Sequence, residues 1–408
     1  MSTSCSTSLS VEQAIQAVRA QAHCRLATEP VPLTVALGRV LAEDLIAPLS
    51  LPPYDNAAVD GYGIRSTDQA GLPRRVVSRA AAGVVAECPI GPGEAVRLFT
   101  GSLLPHGVDA VVMQEECQAK GDLVLIPAGV ASGTNCRRAG EDVRRGHLAL
   151  TAGMRLRPQD LGFIAAMGLS TLPVRAPLRV ALFSTGDELR EPGNPLPPGC
   201  IYDANRRAIA ACLTALGCAV TDLGMIPDQV TAVTAALREA ILDHDLLVTS
   251  GGMSVGEEDH VRTAVSDIGT LHLWSVKIKP GKPIAIGTVA DVPFLGLPGN
   301  PVAAMVAFLI IGRPLVLTLA GRSFFPPPVY PMPAGFVLTR SPGRREFLRV
   351  CLDTGSDGVQ QVILCQMQGA AVLSSMSRAD GFVDLAETVE KVQPGEMLRF
   401  LSLSDLLW

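Results

Sequence analysis

Two stretches of this chain combine residue types that can hold a phosphorylated ligand. The first is Ser250-Gly251-Gly252-Met253-Ser254-Val255-Gly256-Glu257-Glu258-Asp259-His260. The apolar run 245–249 before it reads as a buried strand. Val261, Ala264, Val265 and Ile268 follow at helical spacing, so the stretch is a strand-to-helix turn. Its glycines can take positive φ and let a ligand approach the backbone. The free N–H groups of the next helix turn, with the Ser254 hydroxyl, can hold an anion. Glu257, Glu258 and Asp259 stand in the same loop, which suits an anion site if a divalent cation lies between them. A helix start that merely favours acidic residues explains the same carboxylates.

The second stretch is Lys277-Ile278-Lys279-Pro280-Gly281-Lys282-Pro283. Prolines and a glycine fix the path of a chain that presents three lysines. Strand alternation puts Lys277 and Lys279 on one face. A solvated turn is the plain reading of so short a charge run. Set just after an acidic, glycine-rich loop, a stiff basic turn instead suggests a site for a phosphorylated, metal-bound substrate.

The elements that must position these residues follow from the chain's patterning. From residue 178 strands and helices alternate: a strand at 179–183, a helix at 205–216 closed by Gly217, a strand at 219–223, a helix at 231–242, strands at 283–288 and 292–297, and a long apolar helix to Ala320. This alternation predicts a doubly wound, mostly parallel sheet. Such sheets bind ligands at the carboxyl ends of their strands. The Gly186-Asp187-Glu188 turn, Asp228 and the Ser250 loop each follow a predicted strand and belong on one rim.

Before this part, Ser10 with Gln13 forms a capping box for an amphipathic helix, and residues 35–45 read as a second helix. Residues 75–78, 95–99, 110–114 and 123–126 are short β-type runs in a β-rich insertion. Within the insertion, Asp55-Asn56 and Asp60-Gly61 read as turns. The run Arg137-Arg138-Ala139-Gly140-Glu141-Asp142-Val143-Arg144-Arg145-Gly146 reads as a solvated loop. Residues 158–167 form a helix returning to the N-terminal helices. Residues 326–333 are a proline-stiffened linker, and strand signals beyond them predict a small β-barrel or sandwich. The expected units are 1–48 plus 136–177, a helical and linker unit; 49–135, the inserted β-rich unit; 178–325, the α/β unit; and 326–408, the C-terminal β unit.

The 408 residues carry a formal charge of −5 and are 48% hydrophobic and 18% charged, as in a folded chain and unlike a general nucleic-acid binder. Ten scattered cysteines without a C-x-x-C pair fit a reducing cytoplasm. No zinc motif is visible among the six histidines. Residues 1–10 are polar, unlike a signal peptide, and the apolar run 302–311 is too short to span a bilayer. No membrane association is expected, and the run reads as a buried helix.

Taken together, the chain resembles the molybdopterin molybdenumtransferase family, called MoeA in bacteria and the gephyrin E domain in animals. The matching pieces are residues 53–61, Thr100-Gly101, Gly140-Glu141-Asp142, residues 184–189, Ile201-Tyr202-Asp203, and residues 250–259, 277–283 and 297–301. The resemblance implies an L-shaped subunit of four domains in an elongated homodimer, with the α/β domain of one subunit facing the inserted domain of the other. It implies that adenylylated molybdopterin is cleaved to release AMP with a divalent cation, usually Mg2+, and that molybdate is placed on the dithiolene sulfurs. Further implied partners are molybdopterin adenylyltransferase and the apo-molybdoenzymes or their chaperones.

Residue by residue, the resemblance marks Asp60, Thr100, Asp142, Glu188, Asp228 and Asp259 as catalytic, with Glu188, Asp228 and Asp259 as the metal set. It puts Arg137, Ser250, Gly251, Gly252, Ser254, Lys277, Lys279, Lys282, Pro298 and Pro301 on the substrate and oxyanion side. The sequence departs from the family pattern at Ala57, Val59, Ser102-Leu103, Ala370 and Asp380. The last two bear on any polar ligand contact from the C-terminal domain. Two other functions are compatible with the α/β core: a molybdopterin adenylyltransferase, or a non-catalytic scaffold using the dimer surface. The Asp60 and Asp142 segments with the C-terminal domain argue against the first, and the retained polar set against the second.

Overall fold

The computed structural model describes residues 8–84, 89–252, 260–356 and 358–407. A seven-stranded sheet carries the α/β part. Its order is Ser8–Leu9, Gly269–Val276, Pro283–Val289, Val292–Leu297, Leu246–Ser250, Arg179–Thr185 and Ala219–Ile226. Pairing directions leave one strand, Pro283–Val289, antiparallel to the other six. Ala290 and Asp291 make the tight turn after it with positive φ, which lets the chain reverse into Val292–Leu297.

Helices cover both faces, so the strands read as continuous apolar runs. Alternation assigns the faces. Val180, Leu182, Leu246 and Val248 pack with Ile209, Leu213 and the long helix on one side. Ala181, Phe183 and Leu247 pack with Val233, Leu237, Val261 and Val265 on the other. The helix Val11–Gln21 starts at a capping box between Ser10 and Gln13 and buries Val11, Ala14 and Val18 against the first face. The helix Ala204–Ala215 starts at Asp203, whose carboxylate accepts from the Arg206 N–H, and Gly217 ends it at φ +90°.

The apolar helix spans Pro301–Leu319 with a π-helical segment, Phe308–Gly312, and is 89% buried inside the protein. The helix has 19 residues and an 18-residue window of mean hydropathy 2.2, apolar and long enough to cross a membrane, but the burial makes it the central helix of a folded core.

The β-rich insertion forms a six-stranded sheet in the order Ala110–Met113, Gly61–Ile64, Glu94–Leu98, Pro73–Ala80, Leu123–Leu125, Gln118–Lys120. Gly61 is part of a central strand and not only of a turn. A Cβ on it would lie 2.0 Å from the Val112 carbonyl oxygen, so the close strand approach requires glycine. The chain enters and leaves this sheet along paired rails: Ile46 opposite Leu148, Leu51 opposite Val143, Asn56 opposite Arg137 and Ala57 opposite Cys136.

Two expectations fail here. Residues 35–45 are no helix: a single 3-10 turn, Leu33–Val35, is followed by Gly38 at φ +75°, and Val40 and Leu41 then bridge to Arg155 and Val174. The stretch taken as a linker contains the strand Tyr330–Pro333, which pairs with Met397–Ser402 at a sheet edge, where proline is tolerated. The C-terminal sheet also takes in Ile278–Lys279, paired in parallel with Arg345 and Glu346. The lysine turn is thereby fastened to the C-terminal sheet.

Candidate functional site

Register brings the strand ends of the main sheet level. Thr185 lies opposite Ile226, Ser184 opposite Ser250, and Ser250 opposite Leu297. The loops that follow these strands form one rim. Between them lies a pocket of about 220 Å³, lined by Thr185, Glu188, Tyr202, Asn205, Ser250, Gly251, Gly299, Pro301 and, from the C-terminal region, Leu373. A larger groove of about 330 Å³ sits beneath the helix Val11–Gln21. The rim pocket is the better candidate because hydroxyl, amide and carboxylate groups converge at strand ends.

Gly251 and Gly252 have φ of +93° and +63°, and a Cβ on Gly251 would lie 2.7 Å from the Thr185 carbonyl oxygen. The Ser250 loop thus packs directly on the first rim strand. Ser250 is buried, its hydroxyl 3.2 Å from the Pro298 carbonyl as donor. Asn205 Nδ2 donates to Ser250 Oγ at 2.8 Å and to the Gly299 carbonyl at 2.7 Å. Sequence reasoning used Asn205 only as a helix start; an amide in the first turn at a rim is the signal that could have marked it.

A buried polar group braces this rim from below. Ser184 Oγ donates to Asp203 Oδ2 at 2.5 Å, and Arg206 Nε donates to the same oxygen at 2.8 Å. Arg206 is 1% exposed and also bonds Asp222 and Glu191. Arg207 reaches the same two acids from the surface.

Glu188 is exposed at the pocket, its carboxylate folded over Gly186, where a Cβ would lie 2.6 Å from Oε2. Asp228 lines the neighbouring part of the rim, 3.3 Å from His260 Nδ1. Its Oδ1 is buried and has no hydrogen-bond partner among the described residues. Asp259 and Ser254 lie outside the described residues. Among the described residues no three metal-ligating side chains cluster.

The second set sits in the insertion. Asp60 Oδ1 accepts from the Thr100 N–H at 2.8 Å and from the Thr100 hydroxyl at 2.7 Å. These bonds, the backbone one foremost, hold the Asp60 carboxyl below its usual range. Arg97, which sequence reasoning passed over, lies over the Tyr62 and Phe99 rings and donates to the Gly61 carbonyl at 2.8 Å. Arg137 pairs with Glu141 at 2.6 Å, and Arg138 with Asp55 at 2.6 Å. The loop 137–142 is therefore an ordered, ion-paired turn. Asp142 is exposed there, its backbone N–H bonded to the Leu51 carbonyl at 3.0 Å. Among the described residues, the partners of Asp60 all belong to the insertion and none is a rim residue.

Of the lysines, Lys277 and Lys279 are exposed on one face with Ile278 buried between them, and Lys282 is also exposed. Lys279 Nζ is 2.8 Å from Oε1 of the buried Glu346, whose Oε2 lies 3.0 Å from Arg340 Nε. One of the three ammonium groups is thus already matched by a carboxylate. Pro298 and Pro301 frame the start of the long helix, and the Val302 N–H donates to the Ala370 carbonyl at 3.0 Å.

Comparisons with known proteins cover nearly the whole chain. Residues 9–168 match the MoeA N-terminal region (domain I and II), residues 181–318 a probable molybdopterin binding domain, and residues 331–403 the MoeA C-terminal region (domain IV). The chain is 35% identical to a molybdopterin molybdenumtransferase of Haemophilus influenzae, over 98% of its own length and 100% of the relative's. It is 36% identical to molybdopterin molybdenumtransferase 2 of Mycobacterium tuberculosis, covering 93% and 96%. Among solved structures, the molybdopterin biosynthesis moeA protein of Pyrococcus horikoshii OT3 superposes with a TM-score of 0.83 at 27% identity, over 97% of this chain and 100% of that one.

Proposed function

This chain belongs to the molybdopterin molybdenumtransferase family, and from that premise we propose that its rim pocket inserts molybdate into adenylylated molybdopterin with release of AMP. The observation that carries the reading is the convergence of Glu188, Asn205, Ser250, Gly251 and Pro301 on one pocket at the strand ends, in a chain that matches the family along nearly its whole length. The place in molybdenum cofactor biosynthesis follows from that family.

The chemistry divides by residue type. Gly251 and Gly252 take positive φ and can expose backbone to the ligand, with the Ser254 hydroxyl as the anion donor the sequence offers beside them; Ser250, whose hydroxyl donates to the Pro298 carbonyl, holds the loop in place. Lys277, Lys279 and Lys282, with Arg137, supply positive charge for phosphate and molybdate. Carboxylate oxygens are the hard donors that Mg2+ takes, and the buried Oδ1 of Asp228, which lies 3.3 Å from His260 Nδ1 and has no hydrogen-bond partner among the described residues, fits such a role. Glu188, Asp228 and Asp259 are therefore the residues to hold it, and the ion supplies charge that offsets what develops on the phosphate. No protein nucleophile is required: a water or a molybdate oxygen attacks phosphorus and AMP departs with the bonding pair. Asp60, Thr100 and Asp142 approach from the inserted unit of a second subunit, making the site a property of the homodimer. The free cysteines and the buried apolar helix accord with a cytoplasmic enzyme.

Glu188→Ala and Asp259→Ala should each lower AMP release by about 10²-fold, the scale of losing a preorganised charge contact, while leaving the proteins folded. Near-normal AMP release by both at saturating Mg2+ removes these carboxylates from the mechanism.

A further inference from the structure

In the C-terminal sheet the thiols of Cys351 and Cys365 lie 3.3 Å apart. Cys351 is on the strand Arg345–Thr354 and partly exposed; Cys365 is buried, one residue beyond the paired strand Gln360–Leu364. Val350 lies opposite Leu364, and the Cys365 N–H donates to the Arg349 carbonyl at 3.0 Å. The ladder therefore sets both side chains on the same face, diagonally across two antiparallel strands. Both are free thiols, and Cys351 Sγ also reaches the Arg378 carbonyl at 3.3 Å.

We infer that Cys351 and Cys365 form a reversible oxidation site, closed to a disulfide by peroxides, and that the bridge tightens the loop forming the C-terminal wall of the rim pocket. The sulfurs need to approach by a little over an ångström to reach the disulfide length of about 2.05 Å. The partly exposed Cys351 meets the oxidant. Its thiolate attacks one peroxide oxygen, the O–O bond breaks, and water leaves with a sulfenic acid on Cys351. Cys365 sulfur then attacks Cys351 sulfur, loses its proton and displaces the hydroxyl as a second water. Two thiols give up two electrons and one peroxide takes them. Burial pushes the Cys365 thiol up to about 12, which leaves the partly exposed Cys351 as the first target.

The loop that Cys365 opens runs to the pocket. Gln368 Nε2 donates to the Cys365 carbonyl at 2.9 Å, Arg349 Nη2 to the Gly369 carbonyl at 3.1 Å, and Ala370 accepts from the Val302 N–H. Leu373 then lines the pocket itself. A covalent tie at Cys365 removes opening modes of this segment that begin at the strand end.

The test treats the full-length protein with hydrogen peroxide and maps thiols by peptide mass. The expected product is a peptide pair joined through Cys351 and Cys365 and lighter by two hydrogens, restored by dithiothreitol. Amide hydrogen exchange over 366–373 should slow at least twofold in the oxidised wild type, and should not change on peroxide treatment of Cys351→Ser or Cys365→Ser. This readout needs no turnover, so it stands or falls apart from the proposed reaction. Sulfinic acid on Cys351 with Cys365 still free overturns the site. A bridge that leaves exchange over 366–373 unchanged overturns its link to the pocket.

Discussion

Asn205 and Ser250 are joined by a 2.8 Å hydrogen bond that links the first turn of one rim helix to the end of a neighbouring strand. The same amide holds the Gly299 carbonyl, so one side chain sets the spacing of three pocket walls. Asn205→Ala removes both bonds, each worth roughly 0.5–1.5 kcal/mol. The variant should stay folded, because Asn205 is only partly buried. Its KM for adenylylated molybdopterin should rise about tenfold while kcat falls less. Unchanged steady-state kinetics would show that the walls hold their places without it.

Arg206 carries a different load. It is nearly fully buried and ties Asp203 to Asp222 and Glu191. Arg206→Met fills similar volume but leaves the buried Asp203 without its cation. Breaking one side of a buried pair costs about 3–5 kcal/mol. Denaturant unfolding should show a loss on that scale, and an Arg206→Met, Asp203→Asn double variant should recover part of it. A single variant as stable as wild type would mean that Ser184 and the Arg206 backbone N–H suffice to hold Asp203.

The Lys279–Glu346 pair gives a prediction that reading the lysine turn alone does not. Glu346 offsets positive charge beside the proposed oxyanion edge. Glu346→Gln should therefore tighten molybdate binding severalfold, and added salt should erase the gain. Lys279→Ala should weaken binding, and Lys279→Arg should restore only part of it, since a planar fork replaces a compact ammonium. Calorimetric titration of molybdate into the four proteins at low and high salt decides the matter. Equal affinities throughout would take the lysine turn out of ligand binding.

Asp60 and Glu188 test whether the site is shared between subunits. Asp60→Ala and Glu188→Ala proteins should each be weakly active alone. Mixed and allowed to exchange subunits, they should regain activity, because a fraction of mixed dimers carries one intact site. Exchange confirmed by native mass spectrometry with no recovered AMP release would place both residues in one subunit's site or neither. Thr100→Val should also lift the Asp60 pKa, since it removes a donor to the carboxylate. The depressed pKa in the folded protein stabilises it above the unfolded-state pKa, and that contribution is lost as pH falls through the folded value. The variant should therefore lose less stability than wild type on acidification across this range, as carboxyl NMR titration and acid unfolding can show.

The parts of the fold that were legible in sequence are those where one physical signal dominates. Val292–Leu297 is covered on both faces, so its apolar run and flanking turn residues mark both ends. Leu246–Ser250 is similar, and the rim loops follow from placing such strands in parallel. Gly61–Ile64 was hidden because two glycines erase its alternation. Residues 35–45 misled because their apolar spacing suits a helix, whereas Val40 and Leu41 pair with residues more than a hundred positions away. The same distance problem concealed Glu346: nothing near Lys279 in the chain announces a carboxylate brought by a strand more than sixty residues on. Asn205 was visible as a residue but not as a bridge, since Gly299 joins it only through the sheet order.

The paired rails that lead into the insertion have a consequence for the chain's architecture. At their foot Ala47 and His147 or Gly146 face each other, with Ala47 N–H bonded to the His147 carbonyl at 2.9 Å and Gly146 N–H to the Ala47 carbonyl at 2.8 Å. That is the geometry of a hairpin end, with the two strands about 5 Å apart. A short turn joining these residues would close the host at the loss of Val143 and Leu51 from the edge of its core, as loops inserted at such points carry little entropic cost. The β-rich segment is in this sense a guest housed at one address, free to be lengthened, swapped or removed while the host keeps its own register.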